Sequence, residues 1–84
     1  MHQDIIITSE HGVGDLNALI GDRVVAVAFV RENEWRIYDI VNGGGPIAEG
    51  LTGYEVPLAL FRVAKGLRSD LLQGNGSTNS KEMD

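Results

Sequence analysis

Cysteine is absent from this chain, and its absence excludes several classes of protein at once. Without thiols there is no disulfide framework, no thiolate metal site and no cysteine nucleophile. The disulfide-stapled secreted scaffolds are therefore excluded, and the composition fits a reducing compartment such as the cytoplasm.

Long hydrophobic runs are also missing. The longest apolar run, residues 24–30, is too short to cross a bilayer. The amino-terminal Met1–Asp4 segment lacks the positive charges that open a signal peptide. We therefore predict a cytoplasmic protein.

Basic residues are scarce: seven Lys and Arg face twelve Asp and Glu, for a net charge of −5. Such a balance repels phosphate backbones and anionic lipid, so we expect no direct binding of nucleic acid or membranes. Up to Glu55 there are nine carboxylates against three arginines, a net charge of −6. The acidic part of the chain predicts a partner with a basic surface.

Length limits the fold to one hydrophobic core, because 84 residues lie below the usual domain size. We predict a single α+β domain over residues 1–73 and a disordered tail over residues 74–84, which is too polar to bury. A chain this short buries a modest share of its surface, so a homodimer is a possible source of added stability.

Valine and isoleucine mark the predicted strands, which we place at residues 4–8, 23–31 and 35–41. Spacings of three and four among Val13, Leu16, Leu19 and Ile20 predict a short helix over about residues 14–20, with Gly21 ending it. The glycine and proline content of residues 42–53 predicts a loop.

A helical stripe of apolar residues predicts one long helix over about residues 56–73, with Pro57 in its first turn. Gly66 interrupts the predicted helix and marks either a close approach to the sheet or a weak point. The elements predict a two-layer sandwich of this helix on a small, mainly antiparallel sheet.

Catalytic chemistry is poorly represented. His2 and His11 are the only histidines and do not have the spacing of a metal site. The three glycines at residues 43–45 lack the Lys and Ser/Thr of a phosphate-binding loop. We therefore predict a non-enzymatic protein without cofactor or metal, and keep a small enzyme using His11 with Glu10 and Asp15 beside the glycine loop as the least favoured reading.

The candidate partner-binding residues surround the predicted hairpin, where acids occur together with a Trp, an Arg and a Tyr, the residue types that most often anchor interfaces. They are Glu32, Glu34, Trp35, Arg36, Tyr38, Asp39 and Glu49. The competing interpretation is that the acids only keep a small domain dissolved and that Trp35 belongs to the core.

An alternative interface lies on the long helix, where apolar residues fall off the main stripe and basic residues recur at three-residue spacing. Its residues are Leu58, Phe61, Arg62, Lys65 and Leu72. It would suit a structural or regulatory subunit, an antitoxin-like partner or a homodimer.

Small size, acidity, absence of cysteine and absence of an active-site constellation resemble the general profile of small phage- or mobile-element-encoded inhibitors, including anti-CRISPR and anti-restriction proteins. That profile implies a protein that blocks a basic nucleic-acid-binding surface of a larger complex. Antitoxins and small complex subunits share the same profile.

Overall fold

The computed structural model describes the backbone of residues 4–73 and the side chains of residues 4–70. Within that part of the chain, five strands form one antiparallel sheet in sequence order and a single helix follows. The elements are β1 (Ile5–Thr8), β2 (Leu16–Ile20), β3 (Arg23–Arg31), β4 (Glu34–Asp39), β5 (Ala48–Leu51) and α1 (Val56–Gln73). The predicted α+β class is confirmed.

Three of the strands were predicted within two residues of their bounds, because their β-branched and aromatic residues suit a pleated, partly buried surface. Two-residue turns join β2 to β3 through Gly21–Asp22 and β3 to β4 through Glu32–Asn33. Both Glu32 and Asn33 adopt positive φ, 55° and 66°, the pattern of a type I′ hairpin turn. The right-handed twist of the strands favours that turn type.

The predicted short helix over residues 14–20 is wrong, since this segment is strand β2. Leu16, Ala18 and Ile20 alternate as a strand requires, while Leu16, Leu19 and Ile20 also recur at helical spacing, and so short a segment does not separate a strand from a helix. Gly21, with φ of 65°, opens the β2–β3 turn instead of ending a helix. Asn17 lies buried between the alternating apolar residues and holds the preceding loop.

The predicted loop over residues 42–53 is partly wrong, because β5 forms within it and pairs with β4. The pairing is irregular: Trp35 pairs with Leu51 and Ile37 with Ala48, so an extra residue bulges on β5. Gly50, with φ of 68°, lies in this bulge. A prediction based on glycine content alone therefore missed the short edge strand β5.

Helix α1 packs on one face of the sheet, mainly over β1, β2 and β3. Val56, Leu60, Ala64 and Leu67 recur at helical spacing and join the core residues of the strands, among them Ile37. Glu55 accepts hydrogen bonds from the backbone amide and hydroxyl of Thr52 just before the helix begins. This bonded turn fixes where α1 leaves the sheet.

No helix among the described residues is long and apolar enough to cross a membrane. The predicted tail over residues 74–84 lies outside the described residues.

Candidate binding surface on the open sheet face

The face of the sheet that points away from α1, here called the open face, is built by strand alternation. Register pairs Val27 with Tyr38, Phe29 with Arg36 and Arg31 with Glu34, so these side chains point to the same side. Their neighbours along the strands, Ala28 and Ile37, belong to the core under α1. The sequence therefore places aromatic and charged residues together on the open face.

Phe29 and Tyr38 form an aromatic pair on this face. Their ring centroids are 5.9 Å apart and the ring planes meet at 72°, an edge-to-face arrangement. Such pairs are worth about 0.5–1.5 kcal/mol beyond their burial. Phe29 nevertheless stays exposed, so the pair presents apolar surface to solvent.

Arg36 lies beside this pair, between two carboxylates. Its Nε is 3.3 Å from Glu49 Oε1 and 3.7 Å from Glu34 Oε2. Although the first distance suits a hydrogen bond, the alignment does not, so the enclosed Nε has no hydrogen-bond partner among the described residues. Glu34 also accepts a hydrogen bond from the Gly50 amide at 3.1 Å. These three side chains thus hold β5 against β4 and partly neutralise one another.

A groove of about 600 Å³ follows from this arrangement. It is lined by Asp15, Phe29, Val30, Arg31, Glu34, Arg36 and Tyr38 and is here called the open-face groove. Asp15 closes one end by accepting a hydrogen bond from the Val30 amide at 3.0 Å. That amide lies beyond the end of the β2–β3 pairing, so the Asp15 carboxylate stands in for a missing strand partner.

The predicted partner-binding residues do not form one continuous surface. Glu34, Arg36, Tyr38 and Glu49 come together on the open face. Trp35 points to the opposite face, where it packs against the core and lies next to Gly53. The alternative reading of Trp35 as a core residue describes its position better than the interface reading.

Glu32 and Asp39 lie at opposite ends of β4. Glu32 is exposed in the β3–β4 turn, next to the groove end of the hairpin. The Asp39 carboxylate accepts hydrogen bonds from the Val41 and Asn42 amides at 2.8 and 2.9 Å and from the Asn42 side chain at 2.7 Å. The Asp39 carboxylate is therefore used within the chain, where it closes the turn after β4.

The bonds to Asp39 change its acidity. Partial burial raises its pKa, but the hydrogen bonds from the Asn42 backbone, the Asn42 side chain and the Val41 backbone outweigh that effect. The pKa of Asp39 therefore lies below its usual value of 3.8, because its charged form is the better acceptor.

The predicted helix interface contains a second groove, of about 420 Å³. It is lined by Leu51, Tyr54, Glu55, Leu58, Ala59 and Arg62 and is here called the helix-side groove. Tyr54 is 96% exposed and was not anticipated from the sequence. Phe61 and Lys65 are exposed on the same helix outside this groove, and the Leu72 side chain lies outside the described part.

His11 lies on an exposed loop, where its Nε2 is 3.8 Å from Glu10 Oε1 and both side chains are mostly in solvent. Because β2 and β4 run in the same direction, His11 before β2 and the glycines of residues 43–45 after β4 lie at opposite ends of the sheet. The two do not share a site, although the hypothesis of a small enzyme using His11 beside the glycine loop requires them to. Among the described residues, no three His, Asp or Glu side chains converge as a metal site.

Sequence reasoning missed Phe29, Arg31 and Asp15 as members of the groove. The signal that could have found the first two is the hairpin register: a two-residue turn at Glu32–Asn33 pairs Arg31 with Glu34 and hence Phe29 with Arg36. Beginning the third predicted strand at residue 35 instead of Glu34 obscured this register. Asp15 was assigned to a helix, and nothing local to it signals a bond to an amide fifteen residues away.

No protein-family model, curated protein or solved structure shows a significant match to this chain.

Proposed function

We propose that this chain is a small, acidic, non-enzymatic binding protein that blocks a basic surface of a larger nucleic-acid-handling complex through its open-face groove. The observation that carries the proposal is the partly exposed Phe29–Tyr38 pair on a sheet face that α1 does not cover. The proposal treats the domain as a two-layer unit, with the helix on one face and the partner on the other.

The aromatic pair supplies the apolar part of the proposed contact. Aromatic residues and arginine are enriched at the centres of protein interfaces, where water is excluded. Phe29 and Tyr38 already hold each other in one geometry, so little side-chain freedom is lost when a partner covers them.

Charge supplies the preference for a basic partner. Asp15, Glu34 and Glu49 border the groove region, and Glu32 lies at the adjoining turn. Arg36 is engaged by two of these acids within the chain, and Arg31 is the other cation of the groove. A lysine- or arginine-rich surface would meet an excess of carboxylates, which favours association and is weakened by salt.

A surface that binds nucleic acid has this basic character, so its occupation by an acidic protein would exclude the nucleic acid. With small size and lack of cysteine, this chemistry supports an inhibitor of the anti-CRISPR or anti-restriction type, encoded by a phage or mobile element. The proposed site of action is the host cytoplasm.

The test is affinity capture from a bacterial lysate with washes at about 0.1 M and about 1 M salt, where Debye lengths are about 10 and 3 Å. The baits are the wild type, a Phe29→Ala/Tyr38→Ala variant and the matched helix-side variant Leu58→Asp. We expect a partner that is lost at high salt, lost with the groove variant and retained by Leu58→Asp.

Competition with nucleic acid completes the test. The captured complex should dissociate when a nucleic acid ligand of the partner is added in excess. A partner that stays bound at both salt concentrations and to the groove variant contradicts the proposal, as does a partner that binds nucleic acid and this protein together.

A second candidate function rests on the helix-side groove. Tyr54 and Leu58 are strongly exposed beside Arg62, which suits a structural or regulatory subunit, an antitoxin-like partner or a homodimer. In that case the captured partner should resist high salt and be lost with Leu58→Asp in a protein that still folds.

A further inference from the structure

Strand β1 is an edge of the sheet, and residues 4–73 give it none of the usual protection against pairing. Its sequence, Ile5–Thr8, contains no charge, proline or glycine, and its pairing with β2 is regular. The other edge, β5, carries Glu49, a bulge and Gly50 at positive φ. Charges and bulges are the devices by which edges avoid a second chain. The two edges therefore differ, and β1 is the one open to pairing.

The unpaired backbone groups of β1 follow from its register. The Gly21 amide donates to the Asp4 carbonyl at 3.1 Å, so the Asp4–Gly21 pair lies in the hydrogen-bonded phase of the ladder. Alternation then gives Ile6 and Thr8 the same phase and turns the N–H and C=O groups of Ile5 and Ile7 outward. Within residues 4–73, no other strand pairs with this edge.

We propose that β1 pairs antiparallel with β1 of a second copy of this chain, joining two five-stranded sheets into one. In the register we propose, Ile5 faces Ile7 of the second copy and Ile6 faces Ile6 across a twofold axis. Each Ile5–Ile7 pair exchanges two backbone hydrogen bonds, so the outward groups of both residues are satisfied in both chains.

The register is self-complementary in its side chains as well. Because the paired residues are an even number of positions apart, each side chain meets one from the same face of the sheet. Ile6, 47% exposed on the open face, meets its own copy in a pair without hydrogen bonds, where side chains approach most closely. Asp4 faces Thr8 of the second copy, so no carboxylates oppose each other directly.

The association has a distinctive salt dependence. Each copy carries a net charge of −5, so long-range repulsion opposes the pairing of like chains. Screening reduces that repulsion, while contacts between isoleucines and backbone bonds are not screened. The dimer should therefore strengthen as salt rises, the opposite of the partner binding proposed above, and the two proposals can fail separately.

Sedimentation equilibrium of the full chain is the first measurement, at protein concentrations from about 1 to 500 μM and at about 0.1 M and 0.5 M salt. We expect a mass twice the 9.1 kDa of one chain at the upper concentrations, and a lower dissociation constant at high salt. A 9.1 kDa species at every concentration and both salts would overturn the proposal.

Ile6→Lys and Ile40→Lys are a matched pair of variants, since both isoleucines are 47% exposed and only Ile6 lies in β1. Lysine at Ile6 places two cations opposite each other, and we expect the dissociation constant of the dimer to rise at least about tenfold. Ile40→Lys should dimerise as the wild type does. Equal dimerisation by both folded variants would overturn the proposal, as would loss of the dimer only with Leu58→Asp.

Cross-linking tests the register directly, because the chain has no cysteine of its own. Cβ atoms of directly opposed residues lie about 4.5–5.5 Å apart, close to the spacing that a disulfide spans. Mild oxidation should link Ile6→Cys into a covalent dimer and leave Ile40→Cys uncrosslinked. Equal cross-linking of the two variants, or none with Ile6→Cys, would exclude this register.

Discussion

Asn17 and Gly14 are joined by two hydrogen bonds that run in opposite directions. The Gly14 amide donates to Asn17 Oδ1 at 2.8 Å, and Asn17 Nδ2 donates to the Gly14 carbonyl at 3.2 Å. The same Nδ2 also lies 3.3 Å from the Thr8 carbonyl. Asn17 is 0% exposed, so one buried carboxamide holds the β1–β2 loop over the open face.

Replacing Asn17 with Ala should lower the free energy of unfolding by about 2–4 kcal/mol, because the buried backbone groups of the loop lose their partners. Gly14→Ala should destabilise by about 1–3 kcal/mol, since its new Cβ would lie 2.8 Å from the Leu16 carbonyl and from Val27 Cβ. Urea unfolding followed by circular dichroism measures both changes.

Gly45→Ala is the matched control, because in the described part of the chain a Cβ there meets no atom within 4 Å. It should leave stability within about 0.5 kcal/mol of the wild type. Similar losses for Gly14→Ala and Gly45→Ala would mean that the contact between the loop and the open face is not maintained in solution.

The contacts of Asn17 also show which elements of the fold could be predicted from the sequence and which could not. β3 is marked by its own valines, so local pattern was sufficient. β2 was mistaken for a helix because its strand character depends on pairing with both β1 and β3 and on the bonds of Asn17 to residues up to nine positions away. Such non-local contacts have no periodicity to detect.

The turn between β3 and β4 gives a second prediction. Glu32 has φ of 55°, a conformation that costs ordinary residues free energy and that asparagine tolerates better. Glu32→Asn should therefore raise the free energy of unfolding by about 0.5–1 kcal/mol, measured as a higher urea midpoint with an unchanged slope.

Glu32→Gln controls for charge, since it removes the carboxylate but keeps an ordinary side chain at positive φ. It should not reproduce the gain in stability. Both variants should weaken binding of a basic partner equally under the proposed function. A gain of the same size with Glu32→Gln would assign the effect to charge repulsion instead of backbone conformation.

The candidate site was predictable only in part, because some of its residues are brought together by non-local strand pairing. Glu34, Arg36 and Tyr38 alternate along one strand, so the sequence shows that they share a face. Trp35 lies between Glu34 and Arg36 and points to the core. Strand alternation alone would therefore have separated Trp35 from the residues of the open face. The contribution of Glu49 depends on the irregular pairing of β5, which the sequence pattern did not reveal.

Acid unfolding provides a third prediction, through Asp39. A carboxyl group whose pKa is lower in the folded state contributes stability that is present above its unfolded pKa and is lost as the pH falls through its folded pKa. For Asp39 this loss begins near the usual value of 3.8 and continues below it. The carboxylate is only partly buried, so screening by solvent keeps its effect on stability small.

Thermal unfolding of wild type and Asp39→Asn between about pH 6 and pH 2.5 measures this contribution as a difference in the pH dependence of Tm. The wild type should lose more stability than Asp39→Asn below pH 4. Asn42→Ala, which removes the side-chain donor at 2.7 Å, should give an intermediate dependence. Identical dependence for wild type and Asp39→Asn would show that the turn does not favour the charged form.

Gly66 in α1 gives the last prediction, and the structure decides between the two sequence readings of this residue. A Cβ at Gly66 would meet no atom of the described residues within 4 Å, so no close approach to the sheet requires glycine. Gly66→Ala should therefore stabilise the protein by about 0.5–1 kcal/mol by restricting the unfolded chain. Gly53→Ala is the contrasting control, because its Cβ would lie 3.1 Å from Trp35 Nε1. Only Gly53→Ala should shift the emission of the single tryptophan, and a loss of stability with Gly66→Ala would show that α1 lies closer to another surface at this position.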